Sequence, residues 1–192
     1  MTRFFTRIAA ASLMALVSTA AFAAEPENTL VISLKDGDVT IALRPDLAPK
    51  HVEQIKALTR KGAYDNVVFH RVIDGFMAQT GDVQFGNSAK DFNPAQAGMR
   101  GSDLPDIKAE FSQEPFVRGT VGMARAQSPD SANSQFFITF GDASFLNGQY
   151  TVVGNVESGM ELVDKIKRGD EAQNGVVSDP DKMVKVKIAA DK

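Results

Sequence analysis

A succession of short β-branched runs, separated by turn residues and interrupted by only two helical patterns, constrains this fold more than any other feature of the chain. Thr29 to Leu34 and Val39 to Leu43 flank Lys35-Asp36-Gly37-Asp38, whose Asp-Gly pair signals a hairpin. Val67 to Ile73 and Phe76 to Thr80 flank a second Asp-Gly at 74–75. Thr120 to Ala124, Phe136 to Phe140, Thr151 to Val156 and Val184 to Ala189 continue the series. Helical patterning is confined to two segments. In Pro49 to Lys61, Pro49 suits the first turn, Val52, Ile55 and Leu58 share a face, and Gly62 stops the helix. The second segment is Met160 to Lys167. Strands that follow one another without a crossover helix pair antiparallel, and full closure removes exposed sheet edges. The pattern predicts a mainly β fold, a closed eight-stranded antiparallel β-barrel whose open mouths are capped by two α-helices.

The N-terminal segment stands apart from this pattern. Arg3 and Arg7 precede the short apolar run Ile8 to Val17, and Ala21-Phe22-Ala23 fits the A-x-A cleavage pattern of a secretory signal peptide. The run falls short of the roughly 20 residues that span a bilayer. Residues 1–23 are therefore read as a cleaved signal peptide, and 24–192 as a single domain without a membrane anchor. Export to the periplasm is the expected localisation, ahead of full secretion. One internal stretch, about 85–115, is rich in Gly, Ser, Asn, Pro and Asp and lacks periodicity; loops this long are usually functional or wrap the surface.

Composition removes several chemistries. There is no cysteine in the 192 residues, so disulfides, thiolate metal sites and a Cys nucleophile are excluded. Two histidines are too few for a His-rich metal centre. A formal charge of −3 gives no broad basic face for nucleic acid. The phosphate-binding, dinucleotide, zinc-protease and nucleophile-elbow motifs are missing. His51, near the start of the first helical segment, reads as a solvated histidine, and His70, among Val67, Val68 and Phe69, as a core histidine.

Two segments carry polar residues where a strand should be apolar. Arg71 shares a strand face with Phe69 and Ile73, and Gln135 shares one with Phe137. Either would be costly if buried without a partner. For Arg71 the local alternative is a structural ion pair with Asp74 or Asp82; for the Phe and Met residues it is plain core packing.

In their full sequence context these segments resemble a known family. Phe69-His70-Arg71-Val72-Ile73-Asp74-Gly75-Phe76-Met77-Ala78-Gln79-Thr80-Gly81-Asp82 is similar to the F-H-R-x-x-x-G-F-M-x-Q-x-G-D signature of the cyclophilins, peptidyl-prolyl cis-trans isomerases. S-Q-F-F-I at 134–138, G-T-V-G-M-A-R-A at 119–126 and F-L-N-G at 145–148 fall in the expected order. The likeness runs from about Thr29 to Ala189 and is greatest to the exported bacterial branch. It implies an isomerase that needs no cofactor and no metal, with Arg71 as the catalytic residue. Phe76, Met77 and Phe137 match the walls of the pocket for the substrate proline. Gln79 and Gln135 match polar groups around the substrate backbone, and Ala124, Arg125 and Ala126 the stretch that pairs with bound peptide. Phe145, Leu146 and Tyr150 match the far rim, and His70 a histidine beside the site. The partners implied are proline-containing, unfolded or partly folded exported polypeptides, met by a monomer.

Three departures from the best-known eukaryotic pattern stand out. Phe145 replaces a Trp, Tyr150 a His, and Arg125 the usual Asn between two alanines. Loss of the indole N–H at Phe145 points to weak binding of cyclosporin. A proline-binding, chaperone-like module is the competing reading; it needs the pocket but not Arg71. An exported hydrolase has only the two histidines and scattered acids in its favour.

Overall fold

Residues 25–90 and 92–191 are described by the computed structural model; the proposed signal peptide, 1–23, lies outside them. The strands are β1 (Thr29–Leu34), β2 (Gly37–Leu43), β3 (Arg71–Ile73), β4 (Met77–Thr80), β5 (Thr120–Met123), β6 (Phe136–Thr139), β7 (Val152–Ser158) and β8 (Lys185–Ile188). They form one antiparallel sheet in the order β3-β4-β6-β5-β7-β2-β1-β8. Leu30, Ile32, Val39, Ile41, Val121, Ile138 and Val186 point inward and are buried in the main core, as the two-residue side-chain period requires. The β1–β2 turn is Lys35-Asp36, because Gly37 already pairs with Leu34.

Helix α1 (Pro49–Arg60) begins at Pro49, buries Val52, Ile55 and Leu58, and packs against β8. Helix α2 (Met160–Val163) packs against β2 and is shorter than the sequence pattern suggested. Beyond Val163 the bonds tighten to three-residue spacing, from Lys165 N–H to Leu162 O and from Ile166 N–H to Val163 O. Lys167 N–H then leaves the helix direction to reach Asp181 Oδ2 at 2.8 Å.

The expected closure of the barrel is not met. The sheet is an open half-barrel, with β3 and β8 at its two ends and no ladder between them. The reason lies at the outer edge of β3, which is taken by the loop 169–177: Gly169 N–H donates to Val72 O, Val72 N–H to Gly175 O, and Val177 N–H to His70 O. The run 67–70, read as the start of a strand, is buried but held by single bridges to Asn87 and Lys182 and by separate bonds to Gly86, Val177, Asp181 and Met183 instead of a ladder.

Among the described residues between β4 and β5 no helix or strand forms, yet the long segment is pinned at three points. The buried Asp82 carboxylate accepts the N–H groups of Gln84, Phe85, Gly98 and Arg100. Asn133 Oδ1 accepts from Ser102, and its amide donates to Leu104 O and Asp106. Glu110 reaches α1, accepting the N–H groups of Lys50 and His51 and lying 2.6 Å from His51 Nδ1. His51 is therefore fully buried and not solvated. Its partner comes from 59 residues away and also caps the positive end of the helix.

Candidate functional site

The β3–β4 hairpin sets out the site. Its turn carries Gly75 in the left-handed region, φ 69°, which glycine adopts without strain. The resulting register puts Arg71 opposite Gln79, and on the next strand pair Gln79 is opposite Phe137. Directly opposed residues project to the same face, so Arg71, Gln79 and Phe137 form a row across three strands. Gly122 of β5 continues the row opposite Phe137. A Cβ at Gly122 would sit 2.5 Å from the Phe137 ring and 2.6 Å from that of Phe116; glycine lets these rings stack with centroids 5.8 Å apart.

Above this row lies a cavity of about 270 Å³. Phe76, Met77, Phe137 and Leu146 are its apolar walls, and Arg71, Gln79, Ala124 and Arg125 supply its polar and main-chain lining. Phe145, 63% exposed, and Tyr150 complete it. Phe76 falls in the turn before β4, where its ring lies 5.3 Å from that of Phe145. Tyr150 stands edge-on to Phe137 at 6.0 Å and carries the Arg125 guanidinium 4.5 Å above its ring. Arg125 also donates to Ala126 O, Gln127 O and Gln149 O, tying 124–127 to the segment before Tyr150.

An adjoining cavity of about 380 Å³ shares Gln79, Ala124 and Arg125, and adds Ala126, Gln135 and the loop residues 98–102. His70 lines neither cavity. It is buried, with no hydrogen-bond partner at either ring nitrogen among the described residues, and burial pushes its pKa down to about 4, so the ring is neutral.

Among the described residues Arg71 makes no ion pair. Asp74 is taken by Arg168 at 2.7 Å, and Asp82 by its four N–H donors. The guanidinium instead donates to neutral carbonyls: Nη1 to Gln79 Oε1 at 3.2 Å, and Nε and Nη2 to Asn174. Partial burial lowers its pKa, but from so high a starting value that it stays protonated at neutral pH. Because Arg can only donate, Gln79 must offer it the carbonyl and turn its amide to Gln135 Oε1, 2.9 Å away. Gln135 then donates to Gly98 O and Arg100 O at 2.9 and 2.7 Å. This one-way relay links Arg71 to the long loop. Sequence reasoning did not find Asn174, Phe116 or the role of Asp82 in holding that loop; only Asn174-Gly175 carried a signal, as a turn dipeptide.

Comparison with known proteins gives the family. Residues 29–188 match the model of the family described as cyclophilin type peptidyl-prolyl cis-trans isomerase/CLD. The chain is 66% identical over 188 residues to a probable peptidyl-prolyl cis-trans isomerase of Brucella suis biovar 1, covering 96% of this chain and 95% of that one. It is 36% identical to peptidyl-prolyl cis-trans isomerase A of Dickeya dadantii, covering 84% of each. Among solved structures, a cyclophilin from Hirschia baltica superposes with a TM-score of 0.73 at 26% identity, over 88% of this chain and 76% of that one. A cyclophilin type isomerase from Cryptosporidium parvum, solved in the presence of the dipeptide Ala-Pro, gives 0.69 at 25% identity, over 85% and 99%. The chain belongs to the cyclophilin-type peptidyl-prolyl cis-trans isomerases, and the activity of that family is its activity.

Proposed function

We propose that the 270 Å³ cavity receives the proline ring of an unfolded exported polypeptide and that Arg71 lowers the barrier to rotation about the preceding peptide bond. Partial double-bond character sets that barrier at roughly 18–20 kcal/mol. As the amide twists it loses resonance, and the prolyl nitrogen gains a basic lone pair. A guanidinium hydrogen bond to that nitrogen is stronger in the twisted form than in either planar one, which is what acceleration requires. No bond between heavy atoms forms or breaks. Phe76, Met77, Phe137 and Leu146 hold the ring and exclude water, while Gln79, Gln135 and the main chain at Ala124–Ala126 stand along the groove for the substrate backbone.

The observation that carries this reading is a guanidinium held at an apolar pocket by neutral acceptors, with no carboxylate among the described residues to neutralise it. The Ala-Pro dipeptide present with the Cryptosporidium relative supports a proline-containing ligand. Arg71→Ala is expected to lower kcat/KM on an X–Pro peptide at least about tenfold, roughly 1.4 kcal/mol of transition-state stabilisation, without unfolding the chain. Normal turnover in the folded variant would overturn the assignment and favour a holding function. The proposal extends to export through cleavage after Ala23, which requires the mature protein to begin at Ala24 when sequenced from the periplasmic fraction.

A further inference from the structure

Arg71 has a long, flexible side chain, and a guanidinium free to swing would be a poor donor to an atom that changes position during the reaction. Two of its three hydrogen bonds end on a single residue. Nε donates to the main-chain oxygen of Asn174 at 3.0 Å, and Nη2 to its side-chain Oδ1, also at 3.0 Å. These donors lie on one edge of the guanidinium plane, so gripping that edge fixes the rotation of the whole group. Three of the five N–H donors are thereby committed, counting the bond to Gln79, and two are left for substrate.

We infer that Asn174 is the positioning residue for Arg71, and that the opening of the sheet at β3 exists to admit it. Asn174 has φ 55°, in the left-handed region where Asn is several-fold enriched. The turn that presents it is built around Asp170. The Asp170 side chain accepts from Ala172 N–H and Gln173 Nε2, and its main-chain oxygen accepts from Gly175 N–H at 2.8 Å. Gly175 then bonds through its oxygen to Val72 N–H, the residue after Arg71. Gly175 has no room for a side chain: a Cβ there would lie 2.6 Å from Ile73 Cγ1. The turn is thus anchored to the strand that carries the guanidinium, one residue from it. A strand β8 laddered along β3 would occupy the same main-chain groups and displace the turn.

This inference rests on the catalytic reading of Arg71, and a mutant cycle separates the two. Asn174→Gly keeps the left-handed backbone and the main-chain acceptor while removing Oδ1, so the fold should be retained. It is expected to lower kcat on an X–Pro peptide about tenfold with KM within about twofold, because the ring pocket is untouched. Introduced on top of Arg71→Ala, the same change is expected to cost less than about twofold. In nuclear magnetic resonance spectra, the Arg71 Nη hydrogens should exchange positions faster in Asn174→Gly than in the unaltered chain. If Arg71→Ala is inactive but Asn174→Gly is as active as the unaltered chain, the positioning role fails and the Arg71 reading stands. Additive losses in the double variant would likewise remove Asn174 from the Arg71 pathway. If Arg71→Ala keeps full turnover, both fall.

Discussion

Replacing Asp82 by Asn should unfasten the long loop, and the size of the effect can be worked from four distances. Asp82 Oδ1 accepts from Gln84 N–H at 3.1 Å and Phe85 N–H at 2.9 Å, and Oδ2 from Gly98 N–H at 2.8 Å and Arg100 N–H at 3.2 Å. The residue is fully buried, so no water stands ready to replace an acceptor. Asn keeps one oxygen and sets an NH₂ group against the other pair of donors. Two charge-assisted bonds are lost, each worth roughly 1.5–3 kcal/mol, and backbone relaxation recovers part of the sum. A net loss of about 4 kcal/mol follows, which for a domain of this size lowers Tm by about 8–16 °C. Amide exchange should quicken at Gly98 and Arg100 or at Gln84 and Phe85, whichever pair the NH₂ faces. Gly98 and Arg100 also supply the carbonyls that hold Gln135, so displacement of their strand of the loop would lower turnover several-fold by way of Gln79. A fall in Tm under about 3 °C, with these four amides still protected, would show that the carboxylate does not pin the loop.

Between pH 6 and 8.5, kcat/KM should vary less than about threefold, because His70, pushed down to about 4 by burial, stays neutral and Arg71 stays charged; a bell-shaped profile centred near 6.5 would contradict this. The same group makes stability pH-dependent. Its folded pKa lies below the unfolded value near 6.5, so its contribution is complete above pH 6.5 and is lost as pH falls toward 4, by about 3 kcal/mol in all, readable from urea unfolding midpoints. Gln79→Glu should lower kcat/KM about tenfold or more, since it sets a carboxylate against the guanidinium and an oxygen against Gln135 Oε1; unchanged turnover would mean the relay has no part in catalysis.

Local pattern and distant partnership divide what could be read from the sequence. The strands were legible because β-branched runs and Asp-Gly turns are local signals, and the row Arg71, Gln79, Phe137 follows once the hairpin register is set. Of the residues that the family resemblance marked, most line one cavity, Ala126 and Gln135 line its neighbour, and His70 lines neither. His51 was misread because an amphipathic helix pattern does not reveal Glu110, far along the chain. Arg71 was offered two nearby acids, but Arg168 claims Asp74 from 94 residues away. Closure of the barrel was inferred from the general cost of sheet edges, and that cost is met here by a loop whose turn residues gave no sign of their target. The shortening of α2 is similar, since the acceptor that ends it is Asp181.

The choice of neutral partners for Arg71 follows from what the proposed reaction asks of the charge. A carboxylate would hold the guanidinium more tightly than Gln79 or Asn174 does. It would also absorb, before substrate arrives, much of the field needed at the twisted amide, and the gain in positioning would be offset by a loss in differential stabilisation. Amide carbonyls hold without neutralising. Their cost is an uncompensated, half-buried cation, seen in the lowered pKa of Arg71, and an arginine bears that cost where a lysine could lose its proton. The two acids that the sequence offered it are engaged elsewhere: Asp74 with Arg168 on the surface, and Asp82 with four backbone donors in the interior. Arg168 itself lies with its guanidinium 4.0 Å above the Phe140 ring, which fixes its end of the pair with Asp74. Among the described residues Arg71 is left with carbonyl partners, and its charge remains available to the twisted amide of the proposed reaction.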